Sequence, residues 1–201
     1  MKIKYNPKED QIKVTVEPVE GAWTRALNLA RCTVGKEELS KDPSSKFKYR
    51  VLLQEHSPIR AVEYIIHFEK IRQWVTTHLV RHWLGFIPFV HSQREDRRQL
   101  DVPRDELPQG SVNDMDVLVN AQSLINVSKK RLCHKASPET RHAWEEVVDR
   151  IAKFDVPMAS VMVPDCVYRG FCPFGKDSCG FINTPAGKDW RTNYVNLTDC
   201  M

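Results

Sequence analysis

Residues 62–83 read VEYIIHFEKIRQWVTTHLVRHW, and the period of the pattern changes inside the stretch. Val62 to Ile71 is rich in β-branched and aromatic residues, the composition of a strand. From Arg72 the apolar residues recur at helical spacing, so a helix follows and delivers Arg81 and His82 to its C-terminal end. A strand running straight into a helix points to a mixed architecture rather than an all-helical or all-strand one. Upstream, QIKVTVEP (11–18) alternates with Ile12, Val14 and Val16 on one face, and KIKYN (2–6) reads as a second short strand across an NPKED turn. WTRALNLARCTV (23–34) reads as a helix. So does KDPSSKFKYRVLLQEHSP (41–58), with Asp42 or Ser44 as its N-cap and Pro58 as its far limit. Downstream, residues 84–110 carry Gly85, Pro88, Pro103, Pro108 and Gly110 and are expected to be largely loop or short turns. DMDVLVNAQSLINVSKKRLC (114–133) places Val117, Leu118, Ala121, Leu124, Ile125 and Leu132 at three- and four-residue spacings. This predicts one long amphipathic helix capped by Asp114. A further helix runs through SPETRHAWEEVVDRIAKF (137–154), with Ser137 as cap and Pro138 at its first position.

With 201 residues the chain suits one domain with a substantial core. That domain is read over 1–201, with a Pro-, Gly- and Cys-rich tail from about 156. No apolar run is long enough for a membrane helix, and MKIKYNPKED at the start lacks the apolar core of a signal peptide, so a cytoplasmic protein is expected. In a reducing compartment the six cysteines are free thiols by default. Cys166, Cys172 and Cys179 lie six and seven positions apart, a poor match to the closely paired cysteines of a zinc site, so no metal is expected. The net charge of +4 permits an anionic ligand without requiring a nucleic acid.

HLVRHWLGFIPFVHSQREDRR (78–98) sets cationic groups on both sides of an apolar centre broken by glycine and proline. No Walker loop and no glycine-rich dinucleotide fingerprint is present, so a bound nucleotide would be held by side chains. Guanidinium groups serve that purpose, being always charged and able to grip phosphate with two parallel hydrogen bonds. The plain alternative is a solvated charged loop. Asn120, Ser123, Asn126 and Lys130 share helical neighbour spacing, which suits either a pocket lined by polar groups or the solvent face of an amphipathic helix.

Read in order, these pieces resemble the flavin-dependent thymidylate synthases. Arg81, His82 and Trp83 followed by Ser92, Gln93 and Arg94 are similar to that family's Arg-His-Arg and Ser-x-Arg motifs. Arg104 with Leu107 and Pro108 resembles its nucleotide-phosphate arginine. Asn120, Ala121 and Gln122 resemble its Asn-Ala-Arg, Asn126 the next flavin-contacting Asn, and Arg131 the arginine that activates the pyrimidine. EHSPIRAVEY (55–64) is similar to its His-Glu-Thr-Pro segment and places Ser57 near the flavin. The resemblance spans roughly 22–155. Trp83 and Gln122 stand where the family has arginines, and His78 where it has Gln. Phe89 and Val90, with His91 before Ser92, replace its Asn-Glu, and a helical segment between Arg94 and Arg104 is missing. The chain is thus similar to a compact member.

The resemblance implies an α/β (α+β) fold with a central, mostly antiparallel sheet packed with long helices. It implies C5 methylation of dUMP to dTMP, with methylenetetrahydrofolate and NADPH as co-substrates and FAD as cofactor. Arg131 would be catalytic. Ser57, Arg81, His82, Trp83, Asn120, Gln122 and Asn126 would hold the flavin. His78, Arg81, His91, Ser92, Gln93, Arg94, Arg104 and Arg131 would hold the nucleotide. Sites would form between subunits of a homotetramer, without membrane attachment or a stable nucleic-acid complex. The departures leave open dCMP as substrate, hydroxymethyl transfer, or a non-catalytic nucleotide-binding relative. A basic nucleic-acid-binding protein is the reading from another class, disfavoured because the cations are scattered and form no stripe.

Overall fold

A computed structural model describes residues 12–94, 96–97 and 102–201; the strand expected at 2–6 and its turn lie outside these. The strand expected at 62–71 is β2 (Glu63–Arg72), and it organises the molecule. Tyr64, Ile66 and Phe68 point into the core while Glu63, Ile65 and His67 between them stay partly exposed, the two-residue period of a sheet buried on one face. β1 (Lys13–Pro18) pairs with it antiparallel, Val14 opposite Phe68. On its other side β4 (Val112–Asn120) pairs antiparallel, Val119 opposite Tyr64, and β3 (Phe86–Val90) closes the sheet against β4 in the order β1-β2-β4-β3.

Among the described residues this four-stranded antiparallel sheet is accompanied by eight α-helices. These are α1 (Ala22–Cys32), α2 (Ser45–Leu53), α3 (Gln73–Leu79), α4 (Ala121–Arg131), α5 (Pro138–Ala152), α6 (Val156–Val161), α7 (Asp165–Arg169) and α8 (Pro185–Asn196). The fold is therefore mixed α/β, and the longest helix, α5, has 15 residues. Ser44 caps α2, its Oγ accepting the Phe47 N–H, and Ser137 caps α5 with Pro138 in the first turn, as their sequences predict. None of the helices is long and apolar enough to cross a membrane.

The helix expected over 72–83 stops at Leu79 and leaves Arg81 and His82 in the turn that follows it, and two further expectations are corrected. The helix expected from Asp114 begins only at Ala121, because Val112–Asn120 is β4. Val117, Leu118, Ala121, Leu124 and Ile125 satisfy a helical spacing, but Asn113, Met115, Val117 and Val119 also alternate, and pairing on both sides of β4 decides for the strand. Asp114 caps nothing; its Oδ1 accepts the N–H of Lys70, which has φ +55 at a bulge where β2 slips register between Phe68 and Ile71 (2.8 Å). The cap of α4 is Asn120. The last correction concerns 84–110, expected to be loop, where Phe86–Val90 forms β3. Pro88 is tolerated because β3 lies at the sheet edge, where one row of backbone groups needs no partner.

Trp144 is fully buried, and its indole N–H donates to Ser128 Oγ (2.9 Å), tying α5 to α4. A buried carboxylate does the same elsewhere. Asp155 Oδ2 accepts from the Trp23 indole (2.6 Å) and the Tyr64 hydroxyl (2.7 Å), and its Oδ1 caps α6 through the Met158 N–H (3.2 Å). One side chain thereby fastens α1, β2 and α6 and leaves none of these buried donors unpaired. Burial, the Asp155 charge and this hydrogen bond push the Tyr64 hydroxyl well above its ordinary pKa.

Candidate functional site

Asn120 is both the last residue of β4 and the cap of α4: its Oδ1 accepts the Ser123 N–H (2.9 Å) while its own N–H donates to the Gly85 carbonyl (3.0 Å). Ala121 N–H donates to the Val62 carbonyl (2.8 Å), so the ends of β2, β3 and β4 converge on the start of α4. Gly85 has φ +70, and a Cβ there would lie 2.3 Å from Asn120 Nδ2, so the turn requires glycine twice over. Residues 78–85 run alongside α4, from its cap to its last turn about 16 Å away.

At that last turn Arg131 is held from two sides. Its Nε–H donates to His82 Nε2 (2.9 Å), and its Nη2–H donates to the His78 carbonyl. His78 Nδ1 in turn lies 2.9 Å from Thr140 Oγ1, whose hydroxyl is 2.7 Å from that of Ser137 at the head of α5. The ends of α3 and α4 and the start of α5 are thus locked around one guanidinium. Burial, then the charges of Arg131 and Lys130, pull His82 down to about 4. It is therefore neutral near pH 7, and because Nε2 accepts from Arg131, its proton belongs on Nδ1. His78 is lowered by burial and by Arg131 and Arg81. Burial and the nearby Arg81 lower Arg131 as well, but a guanidinium starts high enough to remain a cation. Arg81 is exposed, as is Trp83, at 75% of its surface.

Of the residues expected to bind flavin or nucleotide, His78, Arg81, His82 and Arg131 come together here. Trp83 follows them in the turn, and Asn120 sits at the other end of α4. Gln122 lies elsewhere on that helix: its amide donates to Glu55, which also receives Lys129 Nζ (2.7 Å), itself 3.6 Å above the Tyr168 ring centre. Burial alone would raise the Glu55 pKa, but hydrogen bonds from Lys129, Gln122 and Tyr168 outweigh it and the carboxyl ends up lowered. Asn126 is exposed on α4, whereas Ser123, on the same polar stripe, is buried. Ser57 is exposed at the head of a 3-10 turn (Ser57–Ala61) whose Pro58 and Ile59 are buried.

The remaining group occupies the opposite end of β3. The His91 N–H donates to the Asp114 carbonyl (3.0 Å), its carbonyl accepts from Asn113 Nδ2 (2.9 Å), and its Nδ1 is 3.6 Å from the Asp114 carboxylate. Ser92 Oγ accepts the Arg94 N–H (3.2 Å), and the Arg94 guanidinium grips Asp96 through Nε (2.9 Å) and Nη2 (2.6 Å). Gln93 is half-buried, and Arg104 opens an exposed 3-10 turn (Arg104–Glu106). Six strand steps, about 20 Å, separate His91 from Gly85.

The sequence reading missed a further convergence. Cys133, Cys166, Cys172 and Cys179 line one cavity of about 250 Å³, whose wall also includes Arg131. Burial pushes the Cys166 thiol up to about 11, and the neighbouring Cys133, Cys172 and Cys179 add to the effect. All six cysteines are free. The spacing of the last three is visible in the sequence, but Cys133 joins them only through tertiary packing. No family model matches the chain, and no curated protein matches it.

Proposed function

We propose that the protein is a flavin-dependent enzyme of thymidylate-synthase type that methylates dUMP at C5, with methylenetetrahydrofolate giving the carbon and NADPH the reducing equivalents. The observation that carries this reading is Arg131: a half-buried guanidinium held by a neutral histidine and a backbone carbonyl, with Nη1 bonded to no described residue. C5 becomes nucleophilic when the pyrimidine N3 and its flanking carbonyl carry negative charge. A fixed cation with two parallel donors stabilises that charge more strongly than water does. Its neutral neighbour His82 adds no competing charge, and His78 fixes the fork through its backbone.

The residues present fit a flavin nucleotide. Trp83 offers an exposed ring face for stacking, and Arg81 an exposed guanidinium for the pyrophosphate. FAD, when bound, supplies the hydride that completes the methyl group. Ser92, Arg94 and Arg104 suit the nucleotide phosphate, with Arg94 exchanging Asp96 for the ligand. The family the chain resembles forms its sites between subunits, so the reading implies a site completed by a second copy of the chain. Ile87, Phe89 and Val90 on β3, the edge strand among the described residues, with Trp83 and Leu84 before it, are exposed apolar groups of the kind that such contacts cover. A homo-oligomer, tetrameric in the family it resembles, follows from the same reading.

The direct assay supplies dUMP tritiated at C5 with methylenetetrahydrofolate, NADPH and FAD, and measures tritium released to water together with dTMP formed. Release coupled to dTMP supports the reading, and release from tritiated dCMP alone moves the substrate to cytosine. Folded protein that binds no FAD and releases no tritium from either nucleotide overturns it.

A further inference from the structure

The thiols of the four-cysteine cavity play no part in pyrimidine methylation as proposed, although Arg131 stands in its wall, and its construction is specific. Cys133 follows the last turn of α4, Cys166 lies in the first turn of α7, and Cys172 and Cys179 flank a turn between α7 and α8. That turn is fastened to the segment after α4. Lys135 Nζ donates to the Asp177 carbonyl (2.7 Å) and lies 4.9 Å from the Phe174 ring centre, while the His134 and Phe181 rings stand 4.0 Å apart. α8 closes against it at Gly187, where a Cβ would come 2.1 Å from the Phe181 carbonyl. The thiols are therefore positioned by packing, and are not carried on a free tail.

Pro164, Pro173, Phe174 and Phe181 form apolar walls, and Lys129, Lys130, Arg131 and Lys135 stand around them. The one carboxylate in the lining, Asp165, is paired with Arg169 (2.8 Å) and Lys130 (3.5 Å), and Lys129 with Glu55 (2.7 Å), which leaves Arg131 and Lys135 to favour an anionic guest. A single zinc would draw four sulfurs to within about 3.8 Å of one another. Among the described residues no three His, Cys, Asp or Glu side chains converge closely enough to hold one metal ion. A cubane of four irons and four sulfides needs four thiolates spread around a larger body, and with them it is a dianion. Cys172 is followed by Pro173, which leaves no N–H there and stiffens the turn.

We propose that Cys133, Cys166, Cys172 and Cys179 ligate a [4Fe–4S] cluster in this cavity, one ligand on each iron. Two ferrous and two ferric ions, four sulfides and four thiolates combine, and the four thiols release their protons as the Fe–S bonds form. Cys179 is exposed like Cys32 and Cys200, but only the latter two lie outside the cavity, and they take no part. Iron binding here depends on neither flavin nor nucleotide, so it is tested apart from the methylation reading.

The test uses the full chain, purified without oxygen and treated under argon with equal ferrous and ferric iron and sulfide, then freed of excess reagent. The expected product is brown, holds about four irons and four sulfides per chain, and gives an EPR signal when reduced with dithionite. Cys172→Ser and Cys179→Ser, on the turn and away from the main core, should lose most of the iron while keeping the circular dichroism of the parent. Cys32→Ser should keep all of it. Folded protein that takes up no iron overturns the proposal. So does one zinc bound by four sulfurs in X-ray absorption with iron excluded, or an iron content unchanged when all four cysteines are replaced.

Discussion

The polar groups along α4 and those past the Val90 end of β3 are held differently. Around the last turn of α4, His78, His82 and Arg131 are at least half-buried and tied to backbone or to one another across long stretches of sequence, and Asn120 caps the same helix beside Gly85. At the Val90 end, Ser92 and Arg94 are exposed and bonded within a few residues, Arg94 to Asp96 only two positions away. The first set has its geometry fixed before any ligand arrives, and groups so fixed can stabilise developing charge without reorganising. The second holds an exposed cation paired only with a near neighbour in sequence, which suits capture of a phosphate or of a neighbouring copy. A site divided in this way has its chemical half built into the fold and its binding half left adjustable.

Substitutions can break this contrast. The largest effect is expected at Gly85→Ala, where a positive φ and the collision with Asn120 act together. It should cost about 3 kcal/mol in urea unfolding, and a loss under 1 kcal/mol would show that the turn yields easily. Asn120→Ala removes only the cap and should cost about 1 kcal/mol, against no measurable loss for exposed Asn126→Ala in the same experiment.

Acid sharpens the contrast at the last turn of α4. His82 titrates at about 4 in the folded protein, below its ordinary value of 6.5. The unfolded chain therefore binds this proton first, and the stability due to neutral His82 is full above 6.5 and lost as the pH falls toward 4. Melting temperature followed across that window should fall more steeply for the parent than for His82→Gln, and parallel curves would remove His82 from the linkage. The smallest effect belongs to the Val90 end of β3. Arg94→Ala should shift stability by less than about 0.5 kcal/mol while weakening dUMP binding roughly tenfold. Unchanged binding would take Arg94 out of the nucleotide site.

Sequence patterns made some of this legible and concealed the rest. β2, α1 and α5 are readable because their period and composition agree, and Ser44 and Ser137 cap the helices their positions announce. β4 is not, because a buried strand leading straight into an amphipathic helix satisfies helical spacing throughout, and only pairing with β2 and β3 reveals the strand. Pro88 and Gly85 disguise β3 as loop. The motif residues are visible in order, but their division between α4 and the Val90 end of β3 is set by strand register. The fourth cysteine is 33 positions from the next, and only the docking of α7 and α8 against the end of α4 brings it to the others.

The central claim is that Arg131, held by His82 and His78, supplies the charge that activates the pyrimidine. It is tested most directly by measuring, on protein that retains bound FAD, the turnover of tritiated dUMP by Arg131→Ala beside the parent. The expected result is a loss of at least about a hundredfold in kcat with flavin content unchanged. Turnover within a factor of about two of the parent would contradict the claim.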